Sequence, residues 1–331
     1  MAQRKTDTAA LAAGARARSS APTGQKFRQI IPTDIHLDFV GKRKFFLVMS
    51  TVLNLITIVL FITRGFNLGT DFLGGTSMRI RFAEPTSAAN LRTNLAGIDL
   101  PDLSVQDFGG EGKEFLLRFE LGKTDDITTN RQLMTEALAK AYPGDKSFEV
   151  LSVDSVGPRV GAELRRRGFL AVGATTLLMG IYIAFRFEPS FGAGAVIALF
   201  HDVMIASGAL MISRMFFDLT TLAAMLTVIG FSVHDTIIVS DRIREKLHTK
   251  SKSDLASVIN QSINETLSRT ILTTGTAVIV LVVLMVFGGE PLRPFAFTLL
   301  VGFFTGTYSS IYIAAPVVLF WSNRSQMGAA A

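Results

Sequence analysis

Residues 219–240 read LTTLAAMLTVIGFSVHDTIIVS, an apolar stretch that contains one carboxylate, Asp235, and no lysine or arginine. A helix must present about 20 mainly apolar residues to cross a bilayer core of roughly 30 Å. A charged group inside such a helix is costly and usually faces the interior of a helix bundle. The stretch therefore predicts a membrane-spanning helix whose aspartate has a function.

Five further stretches have the same length and character, and hydrophobic residues make up 49% of the 331-residue chain. The predicted spans are 45–63, 168–185, 191–212, 219–240, 270–287 and 295–321. The first is not a cleavable signal peptide, because it starts far from the N-terminus, is too long and lacks a small-residue cleavage site. The sequence predicts a polytopic α-helical membrane protein with six spans.

The basic residues indicate the orientation of these spans. The net charge is +6, and Lys and Arg concentrate beside the apolar stretches, at 42–44 and at 242–252. Positive residues beside spans mark the cytoplasmic side. Both clusters then lie in the cytoplasm with both termini, although Arg165-Arg166-Arg167 falls on the opposite side. This distribution indicates membrane topology and contact with lipid, and it does not indicate nucleic-acid binding.

The chain ends are polar. Residues 1–25 are rich in Ala, Arg, Thr and Ser without an apolar period, which predicts a disordered cytoplasmic tail. Residues 26–44 form a basic, amphipathic segment before the first span, and 323–331 form a short cytoplasmic tail. The chain has no cysteine, so no disulfide stabilises any part of it.

The region between the first two spans, residues 64–167, has the pattern of a folded domain outside the cytoplasm. Alternation predicts strands and apolar spacing predicts helices. The predicted order is a strand at 77–83, a helix at 85–98, strands at 104–108 and 113–121 around a turn at 109–112, a helix at 126–142 and a strand at 148–156. The order β-α-β-β-α-β is that of a ferredoxin-like α+β domain. Fold alone implies no function.

The candidate functional residues are the ionisable groups within the spans. They are His201 and Asp202 in the third span, His234 and Asp235 in the fourth, and Arg269 near the cytoplasmic start of the fifth. No phosphate loop, metal-spaced cluster or nucleophile elbow is present, so the sequence predicts neither an enzyme nor a cofactor.

Asp235 and Arg269 are predicted to form a proton-responsive pair. They lie at similar depth on consecutive antiparallel helices, and Arg269 continues a polar stripe formed by Glu265, Thr266, Thr273 and Thr276. The stripe is expected to face the bundle interior, where protonation of Asp235 would release Arg269 and bias two helix arrangements. The alternative is a static salt bridge that only fixes helix packing.

Five motifs together resemble the SecF family, the smaller half of the SecDF accessory pair of bacterial protein export. They are FSVHDTIIV at 231–239 followed by DRIRE at 241–245, GTDFLGGT at 69–76, VGPRVG at 156–161, LFHDV at 199–203 and SRT at 268–270. The resemblance covers about residues 30–322. One departure is His234, where the family commonly has Asn.

The resemblance implies a fold shared with the resistance-nodulation-division transporters and a location in the cytoplasmic (inner) membrane. It implies a SecD-like six-span partner, the SecYEG channel, unfolded preproteins and YajC as candidate partners, with the proton-motive force assisting late steps of preprotein translocation. Asp235 and Arg269 fall on the family's proton-coupling positions, with His201, Asp202 and His234 as further candidates. Asp71, Phe72, Gly74 and Gly75 form an outer-domain motif that either contacts preprotein or makes a tight turn.

The sequence is compatible with two other functions. The chain could be half of a proton-driven exporter of small molecules or lipids from the same superfamily, although such chains usually contain both six-span halves. It could also be a passive assembly subunit that stabilises the translocon without conducting protons.

Overall fold

The computed structural model describes residues 36–96, 103–108, 112–119, 127–143, 148–249 and 254–321. The predicted tails at 1–25 and 323–331, most of the segment at 26–44 and the turn residues 109–111 lie outside this range.

Six helices are long and apolar enough to cross a membrane. The first to sixth spans are Arg43–Thr63, Pro158–Arg186, Pro189–Ser213, Leu219–Thr249, Leu255–Phe287 and Arg293–Trp321. The six predicted spans are confirmed, but the second, fourth and fifth helices extend well beyond the apolar stretches. Backbone hydrogen bonding continues into polar sequence wherever helix propensity allows, so hydropathy underestimates helix length. The basic run Arg165-Arg166-Arg167 lies, exposed, within the second helix.

The third, fourth and sixth spans form the centre of the bundle, because half or more of each apolar window is buried. Less than a fifth of the first, second and fifth spans is buried. Small residues allow close packing at the centre: a Cβ added to Gly302 would lie 2.0 Å from Val228 Cγ2, and one added to Gly194 would lie 2.9 Å from Ala314 O. The exposed apolar faces of the outer helices are available to lipid or to a partner.

Between the first two spans lies the predicted α+β domain. Two short elements precede it, β1 (Asn67–Leu68) and α1 (Thr70–Leu73). Its strands are β2 (Gly75–Phe82), β3 (Ser104–Asp107), β4 (Glu114–Phe119) and β5 (Phe148–Val156), and its helices are α2 (Ala88–Leu95) and α3 (Ile127–Ala141). The antiparallel sheet has the order β3-β4-β2-β5. The β-α-β-β-α-β order is confirmed. Its core is the apolar face of the sheet packed on both helices, including Met78, Leu91, Phe115, Met134 and Leu138.

The chain before the first span is held against the fifth span by two asparagines one helical turn apart. The Asn264 side chain accepts from Leu37 N at 2.9 Å and donates to Leu37 O at 2.9 Å. Asn260 Oδ1 accepts from Phe39 N at 2.8 Å and from Val40 N at 3.2 Å. These amides satisfy backbone groups of a segment that has no regular secondary structure of its own.

Candidate functional site

Asp235 lies at the meeting point of the fourth, fifth and sixth spans. Its side chain is buried, and each of its oxygens accepts one hydroxyl hydrogen bond. Thr270 Oγ1 donates to Oδ1 at 2.9 Å, and Ser310 Oγ donates to Oδ2 at 3.1 Å. We call these three residues the Asp235 site.

Arg269 does not join this site. Its side chain is exposed, whereas the next residue, Thr270, is buried against Asp235. Successive residues of an α-helix point about 100° apart, so Arg269 is directed away from the carboxylate. None of the ion pairs among the described residues includes Arg269. The direct pair predicted from matched depth is therefore not formed within this chain.

The polar stripe that contains Arg269 faces outward, contrary to the prediction. Arg269, Thr273 and Thr276 are exposed, and Glu265 at the end of the stripe bonds to Arg242 and Lys246 of the fourth span. The buried face of the fifth span instead carries Thr270 and Thr274 among its aliphatic residues. Matched depth does not determine rotation about the helix axis, so depth alone could not show which way Arg269 points. We refer to Glu265, Arg269, Thr273 and Thr276 as the outward stripe.

A second buried carboxylate, Asp202, lies where the third, fourth and sixth spans pack together. Asp202 is fully buried, and His201 Nδ1 lies 2.9 Å from its Oδ1. Its Oδ2 accepts from Ser232 Oγ at 2.6 Å and from Ser309 Oγ at 2.7 Å. Hydrogen bonds to both oxygens offset part of the cost of burying the carboxylate. We call His201 and Asp202 the dyad.

His234, the third candidate histidine, is exposed and lies outside both clusters. It follows Val233 on the fourth span, where Ser232 and Asp235 take the buried positions. Among the described residues, no group of three or more His, Asp or Glu side chains is placed to hold a metal ion.

The hydroxyl groups that bond to these carboxylates were not predicted from the sequence. Ser309 and Ser310 are consecutive residues of the sixth span, and each bonds to a different carboxylate. The helix widens to a π-helix at Ser310–Ala314, which we call the π-segment. The feature of the sequence that could have indicated these hydroxyl groups is a pair of consecutive serines inside an apolar span. The π-segment itself has no such signal, since its insertion depends on packing.

The motif at 69–76 forms the joint between the α+β domain and the bundle. Within it, the short helix α1 (Thr70–Leu73) follows β1 (Asn67–Leu68), which pairs in parallel with β6 (Phe216–Phe217). Asp71 Oδ2 accepts from Leu219 N at 3.0 Å, at the first residue of the fourth span. A carboxylate there satisfies a free amide and complements the helix dipole. Asp71 thus connects the joint to the helix that carries Asp235.

Phe72, Gly74 and Gly75 complete the joint. Phe72 is buried and stacks on Phe217 with ring centroids 5.3 Å apart. Gly74 has φ +82°, and a Cβ added there would lie 2.7 Å from Pro158 Cα at the start of the second span. Gly75, also at positive φ, begins β2 and pairs with Val156. The geometry supports the tight-turn interpretation of this motif.

Arg118 of β4 fixes the sheet to the same joint. Its guanidinium carbon lies 3.4 Å from the ring centroid of Phe216, and its Nη1 donates to Leu68 O at 3.2 Å. Burial lowers the pKa of Arg118 to about 10, against the opposing influence of Asp218 and Asp71. Arg118 therefore stays charged near neutral pH, and its contact with the ring is a cation–π interaction.

Comparisons with known proteins agree with this architecture. Residues 135–324 match the family described as "Protein export membrane protein SecD/SecF, C-terminal", and residues 59–86 match the "SecD/SecF GG Motif". The chain is 43% identical over 297 residues to the "Protein translocase subunit SecF" of Calditerrivibrio nitroreducens, covering 88% of this chain and 96% of that protein. It is 38% identical to the protein of the same name from Rickettsia akari, covering 89% and 95%.

Two solved structures have the same fold over most of the chain. The crystal structure of SecDF, a translocon-associated membrane protein from Thermus thermophilus, superposes with a TM-score of 0.79 at 34% identity and 89% coverage of this chain. SecDF in its super-membrane-facing form superposes with a TM-score of 0.66 at 35% identity and 90% coverage. This chain spans only 40% of the length of either solved chain.

Proposed function

The chain belongs to the SecF family of protein translocase subunits, and from that premise we propose that it uses the proton-motive force to assist late steps of preprotein translocation through SecYEG. It is a multi-pass membrane protein and, in this proposal, acts in the inner membrane together with a SecD-type six-span partner. SecYEG is the channel on which the pair acts, unfolded preproteins are its substrates, and YajC is a further candidate partner.

The buried Asp235 is the observation that carries the proposal. Its bonding partners are neutral hydroxyls, and no Lys or Arg of the described chain lies within ion-pair distance of it. A hydroxyl can donate to a carboxylate and can also accept from a protonated carboxyl. The site can therefore hold either protonation state without leaving a polar group unsatisfied. A permanent salt bridge, the alternative for a purely structural role, would disfavour the protonated state.

The fourth span offers a route from Asp235 to the α+β domain. The span carries Asp235 near its middle, and its first residue, Leu219, is bonded to Asp71 of the joint. One charge crossing a potential of about 100 mV releases roughly 2.3 kcal/mol. That energy is sufficient to shift a two-state equilibrium of the domain by a factor of several tens.

The exposure of the outward stripe supports the proposal that a SecD-type partner covers it. An exposed arginine with threonines on a membrane helix is costly against lipid and is normally covered by protein. The solved SecDF chains are more than twice as long as the part that this chain matches, which leaves room for a second half. In the proposal, the partner covers the stripe and supplies an acceptor for Arg269.

Thr273→Cys should form a disulfide with a cysteine introduced into the facing span of the SecD-type partner. Thr273 lies one turn from Arg269 on the exposed face, and the chain has no native cysteine to interfere. Cross-linked dimer on a non-reducing gel is the readout, with Ile279→Cys, an exposed residue further along the fifth span, as a positional control. Cross-linking at 279 but not at 273 would mean that the partner does not cover the stripe.

A cysteine at Glu136 should react with a membrane-impermeant maleimide in intact cells, and a cysteine at His248 should react only after lysis. Both side chains are exposed, the first on α3 and the second near the end of the fourth span remote from the joint. The prediction follows from the proposed periplasmic domain and cytoplasmic termini. The reverse labelling pattern would refute that orientation.

Export by reconstituted vesicles is the test of the proposed function. Vesicles that contain SecYEG, the SecD-type partner and this chain should export more preprotein with an imposed proton gradient than without one. Vesicles that lack this chain should show no such gain. A passive assembly subunit would instead give the same stimulation in both conditions.

A further inference from the structure

Two buried carboxylates are bonded to adjacent residues of the sixth span. Ser309 Oγ donates to Asp202 at 2.7 Å, and Ser310 Oγ donates to Asp235 at 3.1 Å. The π-segment starts at Ser310, and insertions of this kind are frequent at functional sites. One short piece of helix therefore holds both acidic groups in place.

The dyad contains a ring nitrogen that is free to accept a proton. His201 is 5% exposed, its Nδ1 is 2.9 Å from Asp202 Oδ1, and its Nε2 has no hydrogen-bond partner among the described residues. Imidazole takes up a proton within the physiological pH range, and an adjacent carboxylate stabilises the imidazolium that results. Addition of a proton at Nε2 would convert a buried negative charge into a neutral ion pair.

Few other titratable groups surround the dyad. Tyr308 of the sixth span has its ring centroid 5.8 Å from that of His201, and its hydroxyl is bonded to Ser50 and to Phe46 O of the first span. The fourth span contributes Asp235 through the adjacent serines, together with the exposed His234. Within the part of the chain that the structure describes, no Lys or Arg forms an ion pair with the dyad.

We propose that the dyad of His201 and Asp202 is a second proton-binding site, and that Ser309 and Ser310 couple its occupancy to that of Asp235. The inference deepens the proposed function and rests on it for the role of Asp235. The bound species is one proton from water, which forms an N–H bond at His201 Nε2 and changes the charge of the dyad from −1 to 0.

Both serines have a second acceptor, which lets the coupling operate without the loss of hydrogen bonds. Ser310 Oγ also lies 3.0 Å from Thr307 O, and Ser309 Oγ lies 3.1 Å from Gly306 O. When Asp235 is protonated, one of its oxygens becomes a donor, and Ser310 can turn to the carbonyl one turn back. A shift of the π-segment then changes the distance from Ser309 to Asp202. The shift breaks or restores the hydrogen bond that the Ser309 hydroxyl donates to Asp202.

Nitrogen NMR of histidine tests this inference directly. The chain has four histidines, and ¹⁵N-histidine labelling of the complex with its SecD-type partner, with His201→Gln as the assignment variant, isolates the His201 signal. The His201 ring nitrogens should change chemical shift in spectra recorded from about pH 5 to about pH 9, because a proton added at Nε2 alters both nitrogens. Asp235→Asn and Ser310→Ala should each move the midpoint by about one pH unit, the threshold at which two sites count as coupled.

Two controls should leave the midpoint unchanged. Thr305→Ala removes a hydroxyl of the same span that donates to Gly302 O of its own helix, and the exposed His248 serves as an internal reference in the same spectra. If His201→Gln prevents assembly, Ser309→Ala supplies the assignment, because it alters the dyad by one hydroxyl.

Three results would overturn the inference. A His201 signal that does not change over the pH range would show that the dyad binds no proton. A His201 titration that is indifferent to both Asp235→Asn and Ser310→Ala would show that the serines do not couple the sites. A midpoint moved equally by Thr305→Ala would show a general change in packing. An infrared carboxyl band lost in Asp235→Asn reports the proposed function separately, so the two can fail independently.

Discussion

Asp235→Asn is expected to reduce the gradient-dependent gain in preprotein export to the level measured without a gradient. Asparagine has the size of aspartate, and its oxygen and nitrogen can still accept from Thr270 and donate to Ser310. It cannot take up a proton. The packing of the fourth, fifth and sixth spans should therefore be retained while the titratable group is lost. The measurement is export by reconstituted vesicles with and without the gradient.

Asp241→Asn is the matched control for this variant. Asp241 lies on the same helix, six residues nearer its end, and its side chain is exposed. Its substitution should leave the gain unchanged, and both variants should reach the membrane in normal amounts. Full gradient-dependent gain in the Asp235→Asn protein would contradict proton coupling at this residue and favour the passive assembly subunit.

Gly74→Ala is expected to reduce sharply the amount of folded complex. Gly74 has φ +82° and ψ 176°, a region that is essentially restricted to glycine and costs about 1–3 kcal/mol for other residues. The added methyl group would also lie 2.7 Å from Pro158 Cα, where backbone cannot move aside, and such overpacking costs about 1–3 kcal/mol more. Membrane level and the thermal midpoint of the purified complex are the measurements.

Gly157→Ala tests whether this loss is specific to the joint. Gly157 precedes Pro158, and a Cβ added there meets nothing within 4 Å. The thermal midpoint should change little. Equal losses in the two variants would mean that any side chain near the start of the second span is harmful, and that the close approach of Gly74 to Pro158 is not the cause.

The sequence predicted those parts of the fold that depend on periodicity and length. Six apolar stretches identified six helices, and alternation with apolar spacing identified all four strands and both helices of the α+β domain. The ends of the helices were less accurate. The fifth span begins at Leu255 although its apolar stretch begins at 270, because polar residues with good helix propensity extend the helix.

The rotation of each helix about its axis was not predictable in the same way. Arg269 and Thr270 are neighbours at nearly the same depth, and only packing decides that Thr270 meets Asp235 while Arg269 is exposed. The bond from Asp71 to Leu219 joins residues 148 positions apart, and no local pattern contains such information. The sequence therefore predicted the carboxylates of the site, but it did not reveal the hydroxyl groups that bond to them.

The central claim is that protonation of Asp235 moves the α+β domain relative to the spans. Its most direct test is a distance distribution from paired spin labels, one at Glu136 on α3 and one at Ile212 near the end of the third span, both exposed positions. With a proton gradient imposed on vesicles that contain the full complex, the unsubstituted complex should show a second distance that is absent from Asp235→Asn. A distribution that is the same with and without the gradient, or that changes equally in Asp235→Asn, would contradict the claim.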